Sequence, residues 1–220
     1  MNDSIAFFSG FGPKDLWFLT QAAWQTLLIS VLSISGGTIL GIFFGWILSE
    51  SKVVGAITVG FILDAFRSVP LIIQLVLFYN LFNVIGLAVS PFWAGVTILG
   101  VYTSALVANV ARGGIEAVGA PMRRAGRSLG MSYLQTMRYV VWPIGLRAVF
   151  PSWVGVALGV LKDSALVSVL GHPELLKVAR DLITRTQQPL LVLAVAGAFY
   201  FALSFPISRY AAHLERKWQS

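Results

Sequence analysis

The hydrophobic positions of this chain fall in long unbroken runs, not in the three-and-four spacing of a surface helix. Three runs free of charged residues, Leu16–Ser49, Ser68–Ala111 and Thr186–Ser208, reach or exceed the ~20 residues that carry a helix across a bilayer core of about 30 Å. The middle run is too long for one crossing. Its centre, from Asn80 through Gly86 to Ser90 and Pro91, has the chemistry of a turn and divides it into two helices. The first of these begins upstream, near Val53, and passes through Asp64 and Arg67. Pro70 is expected to kink it, or its first turns to lie at the membrane interface. A further apolar stretch, Ala148–Leu170, contains Lys162 and Asp163. The pattern predicts an all-α, polytopic membrane protein with five transmembrane helices near 20–48, 53–82, 91–111, 149–170 and 189–210. One transmembrane domain then covers 20–212, preceded by segment 1–19, interrupted by loop 112–148 and followed by tail 213–220.

Composition agrees. Of 220 residues, 57% are hydrophobic and 11% charged, against roughly 25% charged in soluble domains. This excludes a disordered chain and an ordinary soluble enzyme; with no cysteine it also excludes a disulfide scaffold. Sixteen Lys and Arg against nine Asp and Glu give a net charge of +7, but nucleic acid is not the expected partner, because the surface that would carry that charge is apolar. The basic residues instead mark sides of a membrane. Six arginines lie in 112–148 (Arg112, Arg123, Arg124, Arg127, Arg138 and Arg147), with Glu116 as the single acid there. Lys52 and the tail residues Arg209, Arg216 and Lys217 bring that side to ten, against Lys14, Lys177, Arg180 and Arg185 on the other. Loop 112–148 and the C-terminus are therefore expected in the cytoplasm and the N-terminus outside. Trp17, Trp46, Trp93, Trp142 and Trp153 fall near predicted helix ends, as interfacial anchors do. Residues 1–15 lack the basic start of a cleavable signal. Gly37, Gly41 and Gly45 form a small-residue ladder that serves either packing inside the chain or a dimer seam.

Loop 112–148 is patterned. Pro121 suits the first position of a helix, Gly130 the left-handed residue that closes one, and Ser132 with Gln135 a capping box that opens the next. That second helix should place Leu134, Met137 and Val141 on one face and be interrupted at Pro143. Arg123, Arg124 and Arg127 make the first helix cationic. Two readings compete: a basic segment lying on anionic membrane lipid, or a docking surface for another protein. The sharp break and restart at Gly130 favours docking, since a lipid-bound helix has no use for it.

The run Ser128-Leu129-Gly130-Met131-Ser132, continued to Arg138-Tyr139-Val140-Val141-Trp142-Pro143, resembles the signature loop of binding-protein-dependent ABC importer permeases. That loop reads Glu-Ala-Ala, three residues, Gly, nine residues, Ile, one residue, Leu-Pro. Ala125, Gly130 and Pro143 match, with Val140 for Ile; Arg124 stands at the Glu, Gly126 at the second Ala and Trp142 at the Leu. Further segments resemble the polar amino acid branch, which takes histidine, glutamine, glutamate or arginine: Phe66-Arg67-Ser68-Val69-Pro70-Leu71, Arg112-Gly113-Gly114-Ile115 and Lys162-Asp163-Ser164-Ala165-Leu166. The resemblance implies a type I ABC importer transmembrane domain in the bacterial cytoplasmic (inner) membrane. It implies a dimer of cytosolic ABC ATPases, a second permease subunit, like or unlike, and an extracytoplasmic solute-binding protein. No cofactor is implied for this chain, ATP being bound by the partner ATPase. Arg123, Arg124, Ala125, Gly126, Leu129, Gly130 and Pro143 are the expected ATPase-coupling residues.

Ionisable residues at bilayer depth face protein or water. Asp64 and Arg67 share a helix face; they either neutralise each other and hold helices together, or Arg67 faces the pathway and receives a carboxylate, with Ser68 beside it. Lys162 and Asp163 are adjacent and so point apart. Asp163 could receive an α-ammonium group, with Ser164 as neighbour. Gln74, Asn80 and Asn83 read as packing or loop groups. His172 and His213 have no metal-ligand partner at useful spacing. The phosphate-binding pattern G-x-x-x-x-G-K-[ST] is absent from the chain, so it is not expected to hydrolyse ATP or act as an enzyme. The rival function is a secondary transporter driven by an ion gradient, with Asp64 and Asp163 as coupling sites; five spans without internal symmetry speak against it.

Overall fold

The computed structural model describes residues 10–51 and 55–219. Those residues are helical almost throughout. Helix α1, Pro13–Glu50, opens with Pro13 at its start, and its first-turn Asp15 accepts a hydrogen bond from the Gly12 amide (2.9 Å). A π-helical turn, Gly55–Gly60, runs into α2, Phe61–Ser68; α3 follows at Leu71–Val84 and α4 at Pro91–Ala117. Two short helices, α5 (Ala120–Ser128) and α6 (Tyr133–Thr136), lead through a second π-helical turn at Met137–Val141 into α7, Trp142–Asp163. A 3₁₀ segment, Ser164–Leu170, then α8 (Leu175–Thr186) and α9 (Pro189–Gln219) complete the chain.

Four of these stretches are long and apolar enough to cross a membrane: Pro13–Glu50, Pro91–Ala117, Tyr133–Leu170 and Pro189–Trp218. The fifth is a broken one. Ile57–Ser68 and Leu71–Val84 meet at 105°, far more than a proline kink in one rod. Pro70 lacks an amide hydrogen and pushes Val69 out of helical geometry, to φ −92° and ψ 129°. The carbonyls freed by the break are taken up by Gln74, whose Nε2 donates to Phe66 O (2.6 Å) and Val69 O (2.7 Å). This places Gln74 among packing groups. Asn80 likewise donates to a backbone carbonyl, that of Val76, at 2.7 Å.

Helix α1 lies against α4, and the glycine ladder makes the approach possible. A Cβ on Gly37 would stand 2.5 Å from Thr103 Cβ, one on Gly41 2.6 Å from Val107 Cβ, and one on Gly45 2.5 Å from Ala108 O. The ladder is therefore spent inside the chain. The α4–α7 crossing uses the same device, with Gly145 Cβ room closed by Gly114 O at 2.5 Å. Outward faces stay apolar, as with Ile39, Ile57, Phe61, Leu190 and Phe201, all exposed.

Three expectations change. The fourth apolar span is not separate from the loop before it: Tyr133–Leu170 is one helical run, so Pro143 does not end the second loop helix. The π-helical turn just before it supplies a register in which the missing proline amide interrupts little. Trp142 and Trp153 consequently sit inside that run and not at its ends. Leu134 parts from Met137 and Val141: the latter two are buried with Ile115 and Val118, while Leu134 is exposed. One helical turn of α6 is too short to keep all three in line once the backbone changes to π geometry. The tail is also helical as far as Gln219.

Candidate functional site

The segment from Ala120 to Val141 is built by its own end signals. Pro121 starts α5, and Gly130 closes it at φ +80°. The Met131 amide donates to Gly126 O (3.1 Å) and the Gly130 amide to Arg127 O (3.0 Å), the paired bonds that terminate a helix on a left-handed glycine. Chain growth then resumes at once: the Gln135 amide donates to Ser132 Oγ (3.3 Å) while the Ser132 amide donates to Gln135 Oε1 (2.7 Å). Gly126 is buried against Met131 and Thr136, where a Cβ would meet Met131 sulfur at 3.3 Å. The two short helices are thereby locked to each other.

What this unit shows to its surroundings is mixed. Leu129 is 83% exposed and Leu134 74%, an apolar pair at the outermost turn. Arg124 and Arg127 are exposed and Arg123 half-exposed. Together with Glu50, Tyr133 and Thr136 the three arginines line a cleft of about 360 Å³ in which Glu50 is the lone acid among the lining residues. The unit is tied to the membrane domain through Trp46, whose indole N–H donates to Tyr133 Oη at 2.8 Å, and through the Ile115, Val118, Met137 and Val141 cluster. Ala125 is exposed on α5, and Pro143 stands in the first turn of α7.

The intramembrane charges occupy two places around one core. Leu71 and Leu75 follow Arg67 on the chain and pack with Val160 and Val167, which bracket Asp163. Arg67 pairs with Asp64 on its own helix, and both remain exposed; Ser68 Oγ donates to Asp64 O at 2.8 Å. This pair does not bridge helices, so neutralisation and exposure of Arg67 coexist. Lys162 is exposed and Asp163 half-buried, and neither is a member of the pairs Asp64–Arg67, Arg112–Glu116, Lys177–Asp181 and Asp15–Arg185. Ser164 is fully buried and donates to Leu161 O (2.8 Å), so its hydroxyl supports the turn out of α7.

Sequence reasoning missed Glu174. It caps α8, accepting from the Leu176 amide (2.9 Å) and the Lys177 amide (2.7 Å). Tyr200 Oη on α9 donates to it at 3.3 Å, and the next residue's amide, that of Leu175, donates to Thr26 Oγ1 on α1 at 3.1 Å. The residue is wholly buried, and removal from water pushes its carboxyl up to about 7 in spite of those donors and nearby Arg180. The available signal was the Pro173-Glu174 start of an amphipathic helix, but glutamate is not among the favoured caps. His172 beside it is held below its ordinary value by burial. No cluster of three or more potential metal ligands occurs among the described residues.

A polytopic helical domain with a shaped basic segment on one end defines a membrane transport subunit. The family described as binding-protein-dependent transport system inner membrane component matches residues 37–220. This chain belongs to that family, and so is an inner-membrane permease component. Among curated relatives, the glutamine transport system permease protein GlnP of Escherichia coli is 29% identical over 210 residues, with 90% of this chain and 92% of the relative covered. The probable glutamine ABC transporter permease protein GlnP of Bacillus subtilis is 30% identical over 220 residues, covering 95% and 97%. Among solved structures, an amino acid ABC transporter crystallised with histidines has a TM-score of 0.83 at 29% identity, covering 93% of this chain and 95% of that one. The methionine transporter MetNI, inward facing, matches at 0.83 but 20% identity, a likeness of fold.

Proposed function

We propose that this chain is the permease subunit of an ATP-driven importer of a polar amino acid, coupled to a separate ATPase through the segment 112–148. The observation that carries the reading is the α5–Gly130–α6 unit: two locked short helices presenting Leu129, Leu134 and three arginines outward, on a chain without a nucleotide-binding motif. Relatives named as glutamine and arginine permeases support an amino acid as cargo. An ATPase dimer that closes on ATP would move the docked unit. Trp46–Tyr133 and the Met137–Val141 turn would carry that movement into α1 and α7. A second permease subunit completes the pathway, an extracytoplasmic binding protein delivers substrate, and the N-terminus lies outside with the C-terminus in the cytoplasm.

Within the pathway, Arg67 with Ser68 offers a carboxylate site and Asp163 an ammonium site; Lys162 lies on the neighbouring face and Ser164 holds the turn behind Asp163. The test is Gly130→Glu. A side chain there is strained at φ +80° and an acid weakens the local positive charge, so ATP hydrolysis should uncouple from uptake while the chain reaches the membrane at its normal level. Unchanged uptake at normal membrane level would falsify the coupling role.

A further inference from the structure

Between α1, α4, α7 and the end of α9 lies a half-open groove of about 450 Å³ that the transport reading leaves unused. Its floor is the tight Gly114–Gly145 crossing, and its walls include Ile42, Val110, Ala111, Phe150 and Trp218. Two contacts hold it open rather than collapsed. Trp153 Nε1 donates to Thr38 Oγ1 across it at 3.0 Å, and Trp218 meets Phe150 edge-on with ring centroids 4.9 Å apart. Along α7 the lining runs from Val141 to Trp153 with Arg147 midway, so about 9 Å of it lies between the turn that carries the guanidinium and Trp153. Arg147 is the charged residue of the lining; it is exposed and takes no part in the ion pairs of the described residues. Arg216 and Lys217 precede Trp218 in the last turn of α9.

An apolar slot with one guanidinium partway along it, outside those ion pairs, matches one kind of occupant. We infer that the groove binds a single anionic phospholipid, with an acyl chain along Ala111 and Phe150 and the phosphate on Arg147. A guanidinium pairs with the phosphate oxygens of either headgroup, and an anionic one is favoured because it carries no choline cation to offset the phosphate charge. Filling the slot would also brace the α4–α7 crossing just above the coupling unit, where α7 begins.

Native mass spectrometry on the purified, delipidated complex, titrated with palmitoyl-oleoyl phosphatidylglycerol or phosphatidylcholine, tests this. The parent should retain one phosphatidylglycerol per copy of this chain, in preference to phosphatidylcholine. Arg147→Gln should lower that preference about fivefold, the contribution of one surface cation. Ala111→Phe should abolish retention of both lipids. Equal retention of the two lipids by the parent, or an undiminished preference in Arg147→Gln, overturns the inference; so does full occupancy in a correctly assembled Ala111→Phe complex. Should the slot prove to hold a second copy of the chain, the parent shows no retained lipid, which is equally decisive. Arg147→Gln alters one exposed side chain and keeps the test open if the phenylalanine variant fails to assemble.

Discussion

Glu174 and Asp163 are both carboxylates removed from bulk water, and their surroundings separate their roles. Glu174 is buried among donors from α8 and α9, and the next residue's amide donates to Thr26 on α1, which makes it a structural cap. Its carboxyl is raised to about 7, so the folded state holds the proton more tightly than the unfolded chain does. That contribution to stability is complete below the ordinary carboxyl value, and falls away as pH rises towards and through about 7. The melting temperature of the purified protein should therefore drop by a few degrees between pH 5 and pH 8, and Glu174→Gln should flatten this dependence; a profile unaltered by the substitution would reassign the titration to other groups. Asp163 has no such cage. Asp163→Asn is expected to lower uptake about tenfold or more while leaving assembly and melting temperature near parent values. Normal uptake kinetics in that variant would return Asp163 to a structural role. Asp64, Arg67, Lys162 and Asp163 could be singled out from the sequence because charge is costly in an apolar run. Glu174 could not, because its burial comes from three helices distant along the chain.

At the scale of elements, end signals proved more legible than lengths. Pro121, Gly130 and the Ser132–Gln135 box marked the two short helices because each acts within four residues. The continuation through Pro143 was hidden, since a π-helical turn leaves no pattern of hydrophobic residues to read. The glycine ladder in α1 was visible, but its partner was not, because a Gly-x-x-x-Gly spacing fits an intrachain or an interchain neighbour equally well. Its use against α4 makes a prediction: Gly41→Leu must push α1 from Val107 and Ser104, and should destabilise the fold by about 1–3 kcal/mol or prevent assembly. Yield and melting temperature measure it, with Gly36→Ala, whose Cβ meets nothing within 4 Å, as the tolerated control. Equal stability of the two variants would contradict the close packing.

For the whole molecule, the scarcity of charge reported a membrane protein, and its placement reported a working end. The basic segment and its two exposed leucines are joined to α1 by the Trp46–Tyr133 bond and to α7 by the Met137–Val141 turn, the path along which the proposed docking would act. On the function proposed above, another subunit supplies the movement that this path carries. This claim is tested most directly by the energy source of transport. Uptake of a labelled polar amino acid into right-side-out vesicles, loaded with ATP and treated with an ionophore that collapses the proton gradient, should continue at close to its untreated rate. It should stop when ATP is depleted with the gradient intact. Uptake that collapses with the gradient while ATP remains would contradict the account and make the intramembrane carboxylates ion-coupling sites instead.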